Sequence, residues 1–280
     1  MNQWNPKQSP MQGMSGLWGG ISSNLTSGGS EFPNATYPDT NMLHLEAQNF
    51  TPGDSTWTQS TNSNSNYAVN VNYTNDFTKT GSGNTQRIVF PNSGPTYFRA
   101  ENVQVPVGIQ VVCAWAENQY PFILEQSNGS STANSAPGFY FYGNNGFIYG
   151  CYRSTWTSGT GTGRRDINGI GDDWFVTDGT FAVGGFVVSA NSDATNSNKA
   201  TTTQVMRNNT KYTDYTIEQG GFPSNSVVTQ NIYIGSRNGT SIFLHGGQLA
   251  EVWMAPTDSG SNYLEVFEDN VAAMVSKYGL

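Results

Sequence analysis

Four groups of residues in this chain have types and spacing that could carry chemistry. The first is aromatic: Tyr140 and Tyr142 alternate with Phe139 and Phe141, and Tyr152, Arg153, Trp156 and Trp174 follow. Alternate residues of a strand leave opposite faces, so one aromatic pair enters a core and the other looks outward. Flat rings stack on sugars, and neighbouring Asn, Asp and Arg groups can hydrogen-bond the hydroxyls. Tyr140, Tyr142, Tyr152, Arg153, Trp156 and Trp174 are therefore the candidate carbohydrate site, against the plainer reading that these rings fill a second layer. The second group is acidic. Asp166, Asn168, Asp172 and Asp173 lie in a glycine-rich loop that could offer several oxygens to calcium. Their spacing is not that of an EF-hand, and a solvated turn would use the same residues. The third is the pair of histidines, His44 and His245, in or beside strands; without His-x-His or HExxH spacing they read as structural or exposed. The fourth is Glu251, which has no second carboxylate on its own strand face and suits hydrogen bonds to loop amides.

The elements that must position these groups are strands. Charged residues make up 11% of the chain and mean hydropathy is −0.47, so its polarity comes from Asn, Ser, Thr, Gly and Gln. Aromatic residues at 13% are too many for a disordered chain. Short apolar runs separated by Gly/Ser/Asn/Thr turns are the signature of a sandwich or barrel, and 280 residues can form it as one domain. Val111, Cys113 and Trp115 point to one layer while Val112, Ala114 and Ala116 point to another, as in a strand covered on both sides. Thr96–Ala100 and Val103–Glu117 read as separate strands, and Gly184-Gly185 as a bulge or a close backbone approach. Cys113 and Cys151 read as buried free thiols, with a disulfide between neighbouring strands left open.

The last fifty residues are the most regular. Ile232 and Ile234 share a face with Tyr233 opposite, and Asn238-Gly239 supplies the turn for two antiparallel strands. In the next strand Ala250, Val252 and Met254 point one way, and Leu249, Glu251 and Trp253 the other. Leu264, Phe267, Val271, Met274, Val275 and Tyr278 then stripe one side of a helix. Ser259 or Ser261 caps that helix, Glu265 and Glu268 suit its positive end, Lys277 suits its negative end and Gly279 ends it.

The order Ile-Gly-Ser-Arg (234–237), Gly-x-Leu-Ala-Glu-Val (247–252) and Lys-Tyr-Gly-Leu (277–280) resembles laminin-G-like domains of the concanavalin A lectin/glucanase superfamily. Leu43-His44-Leu45-Glu46-Ala47 followed by Trp57-Thr58-Gln59-Ser60 is similar to the opening strand and Trp-Thr-Asp-x-Ser turn of those domains. The resemblance implies an all-β, two-sheet jelly-roll sandwich over residues 42–280 with one C-terminal helix. It also implies that a calcium site is conceivable, since relatives often hold one. Retaining glucanases of the superfamily carry a Glu-x-Asp-x-x-Glu strand, because two carboxylates must flank the glycosidic bond, and nothing here matches it.

Residues 1–30 differ from the rest. Trp4, Met11, Met14, Leu17, Trp18, Ile21 and Leu25 are apolar anchors on a Gly/Ser/Asn-rich string, which suits a segment that orders along a partner. This arm resembles N-terminal arms of bacteriophage virion proteins, and residues 31–41 form a linker. The expectation is a non-enzymatic virion surface protein, made in a host cytoplasm and held by its arm to other virion proteins. It would display a lectin-like domain to cell-surface glycans, as head decoration, fibre or tail tip, in an oligomeric assembly. The alternatives are a polysaccharide-acting glycoside hydrolase or a free carbohydrate-binding module. A net charge of −8 with pI near 4.6 argues against a nucleic-acid surface. No apolar run reaches the ~18 residues of a membrane span, and no cofactor other than calcium is suggested.

Overall fold

The computed structural model describes residues 43–60, 67–72, 76–106, 108–116, 122–127, 139–144, 147–148, 152–153, 164–168, 179–188, 199–218, 229–257 and 262–280. The arm, the linker and the anchors Trp4 to Leu25 lie outside them. The first strands are β1 (Leu43–Glu46), β2 (Thr56–Trp57), β3 (Val69–Asn72), β4 (Thr78–Thr80), β5 (Arg87–Val89), β6 (Tyr97–Gln104) and β7 (Ile109–Ala116). Then come β8 (Phe122–Ser127), β9 (Phe139–Asn144), β10 (Phe147–Ile148), β11 (Tyr152–Arg153), β12 (Arg164–Asn168) and β13 (Phe181–Val188). A turn of helix, α1 (Lys199–Thr202), precedes β14 (Thr203–Arg207), β15 (Thr210–Tyr212), β16 (Thr216–Glu218) and β17 (Thr229–Ile234). The chain closes with β18 (Ser236–Arg237), β19 (Ser241–Phe243), β20 (Gln248–Pro256) and helix α2 (Tyr263–Tyr278).

These strands build the expected sandwich. One sheet has eight strands in the order β15-β14-β13-β7-β20-β5-β4, with β1 also on β20; the other has seven, β10-β9-β8-β17-β6-β3-β2. A three-stranded sheet, β11-β12-β16, and the β18-β19 hairpin are separate. Between the large sheets, Val111, Cys113 and Trp115 of β7 pack with Phe98, Phe141, Ile232 and Ile234 from the facing sheet. Phe98 sits within 4.5–5.9 Å of the rings of Phe50, Trp57, Phe77 and Phe90, which fills that end of the core.

The other face of the eight-stranded sheet is covered by α2. Val112, Ala114 and Ala116 of β7 turn to it and meet Phe267, Val271, Met274 and Val275. Leu264 and Tyr278 complete the helical stripe at its margins. Small residues on β7 and a pair of glycines on β13 let backbones come close. A Cβ on Gly185 would lie 1.8 Å from the Val111 carbonyl oxygen, while β13 keeps an unbroken register against β7; the glycine pair is a close approach, with no bulge. Gly279 takes the left-handed conformation (φ 69°) and Leu280 N–H donates to the Val275 carbonyl at 3.1 Å, the expected helix stop. The N-cap is Asn262, whose side chain makes no capping bond.

Three expectations change. Asn238 and Gly239 do adopt positive φ (46° and 72°), yet their turn joins β18 to β19, while β17 and β20 lie in opposite sheets. The break placed after Ala100 falls instead at Val105–Pro106: β6 runs through Asn102, which takes a positive φ (56°) opposite a bulge in β17. In β20 a bulge between Leu249 and Glu251 inserts Ala250, so Leu249 joins Val252 and Met254 in the inter-sheet core and Ala250 turns to the helix with Trp253.

Candidate functional site

The chemistry-bearing residues of β1, β20 and the last turn of α2 meet at one place. β1 pairs with β20 so that Leu43 and Leu45 enter the inter-sheet core, which puts His44 and Glu46 on the helix side. The same register sets Glu46 directly opposite Glu251. Like charges in that position repel. Here Lys277 answers them, its Nζ lying 2.5 Å from Glu46 Oε1 and 2.6 Å from Glu251 Oε2.

Each remaining oxygen has a partner. His44 Nε2 lies 2.7 Å from Glu251 Oε1, and the Tyr278 hydroxyl donates to Glu251 Oε2 at 3.0 Å. The Ser60 hydroxyl donates to Glu46 Oε2 and Gln48 Nε2 to Glu46 Oε1 at 3.3 Å. The Trp57 indole N–H holds the Glu46 carbonyl at 2.9 Å, and Ser60 N–H the His44 carbonyl at 2.8 Å, which fixes the loop after β1 over the cluster. The side chains are sealed: His44 and Glu251 are 0% exposed, Lys277 3% and Glu46 5%.

Electrostatics follow from this packing. Burial alone would raise the Glu46 carboxyl, but hydrogen bonds from Lys277 and Ser60 outweigh it and hold the group below its ordinary value. Burial alone would weaken the Lys277 ammonium, but the facing carboxylates outweigh it and raise it. Burial and Glu251 together push the Tyr278 phenol far up, so it remains a hydrogen-bond donor. Cys113, free and fully buried, is likewise raised well above its ordinary value by burial and then by Glu251.

Chemically this is an ion cluster with three possible uses. His44, Glu46 and Glu251 offer ligand atoms all within 4.8 Å of one another, a nitrogen and oxygen set that zinc accepts. The Lys277 ammonium already supplies the positive charge between the carboxylates, so a metal would have to displace it. A glycosidase pair needs the sugar between its carboxylates. The enclosed space between Glu46 and Glu251 is filled by Lys277, so this pair does not serve that mechanism. The third use, a tie between the first strand and the last helix, is what the bonds describe.

The residues expected to form a site are spread over several strands. Tyr140 and Tyr142 lie on β9, Tyr140 in register with Glu125 and Tyr142 with Phe122, while Phe139 and Phe141 between them are buried in the core. Tyr152 and Arg153 form β11, which lies beside β9. Trp156, Trp174, Asp172, Asp173 and Cys151 lie outside the described residues. Asp166 and Asn168, expected in a loop, are instead on β12, opposite Glu218 and Thr216, because buried Ile167 between them anchors a strand. His245 Nε2 lies 3.0 Å from the Gly94 carbonyl oxygen at the surface. Glu251 does have a second carboxylate on its face, donated by β1. A polar residue at every second position of the otherwise apolar Leu-His-Leu-Glu strand was the signal for it.

No protein-family model matches the chain, and no curated protein matches it. Solved structures do. A Trypanosoma rangeli sialidase in complex with sialic acid matches 88% of this chain and 34% of its own, at 11% identity and a TM-score of 0.48. Domain 4 of a GH43 extracellular arabinanase from Geobacillus stearothermophilus, in complex with arabinotriose, matches 82% of this chain and 98% of its own, at 10% and 0.45. The CBM40 of a Ruminococcus gnavus IT-sialidase, bound to alpha2,6 sialyllactose, matches 60% and 93%, at 15% and 0.37. The likeness is one of fold. The chain spans about a third of the length of the sialidases it resembles.

One expectation is overturned by these findings, namely that the chain is not an enzyme: the sialidase and the arabinanase are enzymes. A missing Glu-x-Asp-x-x-Glu strand excludes one glycosidic mechanism and leaves others.

Proposed function

We propose that the chain is a glycan-recognising sandwich whose N-terminal arm attaches it to a larger assembly, a virion surface being the assembly its arm best suits. The observation that carries recognition is a row of register positions across the seven-stranded sheet. Tyr140 stands opposite Glu125, Glu125 opposite Tyr233, Tyr233 opposite Arg99, and Arg99 opposite Asn70. Phe139, Phe141, Ile232, Ile234, Phe98 and Ala100 alternate with these positions and fill the core, so the row belongs to the face away from it. Arg99 and Glu101 form an ion pair there, both partly exposed, and Asn70 is exposed. Glu125 and Tyr233 are themselves buried, Glu125 accepting the Asn238 N–H at 3.0 Å, so Arg99, Glu101 and Asn70 are the members of this face that meet solvent and offer a sugar's hydroxyls hydrogen-bonding groups. The attachment half rests on the anchors Trp4, Met11, Met14, Leu17, Trp18, Ile21 and Leu25 in an otherwise polar segment.

A glycan array read with the full chain, with Tyr142→Ala and with Arg99→Ala tests recognition. Both substitutions should lower every glycan signal at least several-fold while the melting curve keeps its cooperativity. An array blank for the full chain, or signals indifferent to both changes, sinks the reading. Deletion of residues 1–30 tests attachment: the remainder should fold and keep its glycan signals, yet fail to join its assembly.

A further inference from the structure

A groove of about 410 Å³ runs between the first two turns of α2 and the edge of the eight-stranded sheet. Strand alternation builds one wall. Met206 of β14 turns to the helix, so Gln204 two residues earlier shares that side, and Lys211 of β15 stands opposite Met206 in the register. α2 brings Tyr263, Leu264, Glu265 and Glu268 to the other wall. Two bonds tie the walls and fix the width: the Tyr263 hydroxyl donates to the Thr201 carbonyl at 2.9 Å, and the Lys211 ammonium bonds the Glu268 carboxylate. We propose that this groove is a second carbohydrate site, which takes one terminal residue of a neutral saccharide.

Size and charge narrow the ligand to that class. The volume lies near the lower end of the roughly 300–1,000 Å³ of small-molecule sites, so the ligand is small. Lys211 is already matched by Glu268, and Glu265 leaves the lining with a net negative charge, which repels carboxylates and phosphates. Burial alone would raise the Glu268 carboxyl, but the Lys211 hydrogen bond outweighs it and holds the group below its ordinary value, so it stays an acceptor. Hydroxyls both donate and accept, and the groove answers both needs. Glu265 and Glu268 accept from them. The Gln204 and Asn262 amides can donate as well, and the Asn262 side chain makes no capping bond that would occupy it. Tyr263 and Leu264, both half-buried, supply the apolar strip that the C–H face of a sugar ring covers.

The groove is on the helix side of the eight-stranded sheet, while Asn70, Arg99 and Glu101 lie on the outer face of the seven-stranded one. The whole sandwich stands between them. One chain with both sites holds two saccharide ends at once and grips a polyvalent surface more tightly than either site alone. That consequence rests on the recognition proposed above; the groove itself does not.

The test is an NMR titration of the full chain, labelled with 15N-tyrosine, with D-glucose, D-galactose, D-mannose and N-acetyl-D-glucosamine in turn. At least one of the four should shift the Tyr263 amide saturably, with half-saturation on the order of 1–10 mM, the strength a small polar ligand reaches in an open groove. Gln204→Ala removes an amide from the wall, and Ala200→Trp fills the groove from an exposed position. Each should weaken the Tyr263 response at least several-fold while the melting curve keeps its cooperativity. The same spectrum reads the sheet face through Tyr97 and Tyr233. Shifts at those two with none at Tyr263 overturn the groove and leave face recognition standing, whereas a shift at Tyr263 alone supports the groove and counts against the face. A Tyr263 amide unmoved by all four sugars overturns the inference, as does a Tyr263 response that both substitutions leave intact.

Discussion

Comparing Lys277→Met with Lys277→Arg isolates what the buried charge contributes. Methionine approximates the lysine's length without its charge, and arginine keeps the charge. The difference between the two variants therefore reads the ion cluster alone. In the Met variant, Glu46 and Glu251 would face each other at paired positions, with side chains 5% and 0% exposed and no cation between them. Removing one partner of a buried pair costs about 3–5 kcal/mol, whereas an exposed pair would be worth ~1 kcal/mol or less. The sealed packing selects the larger figure. At about 2–4 °C per kcal/mol for a domain of this size, Lys277→Met should melt roughly 10 °C below Lys277→Arg at neutral pH.

The pH dependence has a definite sign. The Glu46 carboxyl is held below its ordinary value of 4.5 by its partners. A group depressed in this way contributes stability that is fully present above the unfolded value and is lost as pH falls through the folded one. The gap between the variants should thus be constant around neutrality and close below about pH 4.5, where both chains gain neutral carboxyls. Thermal melts followed by circular dichroism from neutral to acid pH provide the reading. Equal melting points at neutral pH, or a gap that widens on acidification, would refute the reasoning.

Two further outcomes are expected. In a Cys151→Ser background, Cys113 should ignore a thiol reagent in the folded chain and react at once in denaturant, because burial and Glu251 keep its thiol protonated; fast labelling under native conditions would show that the β7 core opens. Asn270, on α2, is 0% exposed and both its amide atoms lack a hydrogen-bond partner among the described residues, so Asn270→Leu should stabilise the chain by about 1–3 kcal/mol in denaturant titration. A loss of stability would mean that a bound water or another segment satisfies the amide.

Local periodicity made much of this fold legible. The two-sided pattern of Val111 to Ala116 assigned each side chain to the correct layer, and the helical stripe from Leu264 to Tyr278 was read with its Gly279 stop. Errors arose where one residue changes the phase. Ala250 is the extra residue of a bulge, and period-two counting cannot see an insertion that depends on the partner strand. Asn238-Gly239 was correctly read as a turn, yet turn chemistry does not say which strands it joins. The ion cluster was harder still, since His44 and Glu251 are 207 residues apart and only the sheet order brings them together. Lys277 was read as a charge at a helix end, which it is, but its burial comes from tertiary packing that no helical pattern reveals.

A charged cluster in this place answers a mechanical question about the fold. β1 is four residues long and, among the described residues, its ladder runs along β20, so pairing alone gives it little hold. A one-residue slip would drive Leu43 and Leu45 out of the core and carry Glu46 away from Lys277. Ions that are satisfied in a single register therefore penalise the slip more steeply than apolar contacts could. The hold on β1 passes from Glu46 to Lys277 and so into α2, whose apolar face is bedded on the eight-stranded sheet. An ionic tie there resists slipping, because Lys277 meets both carboxylates in one register alone.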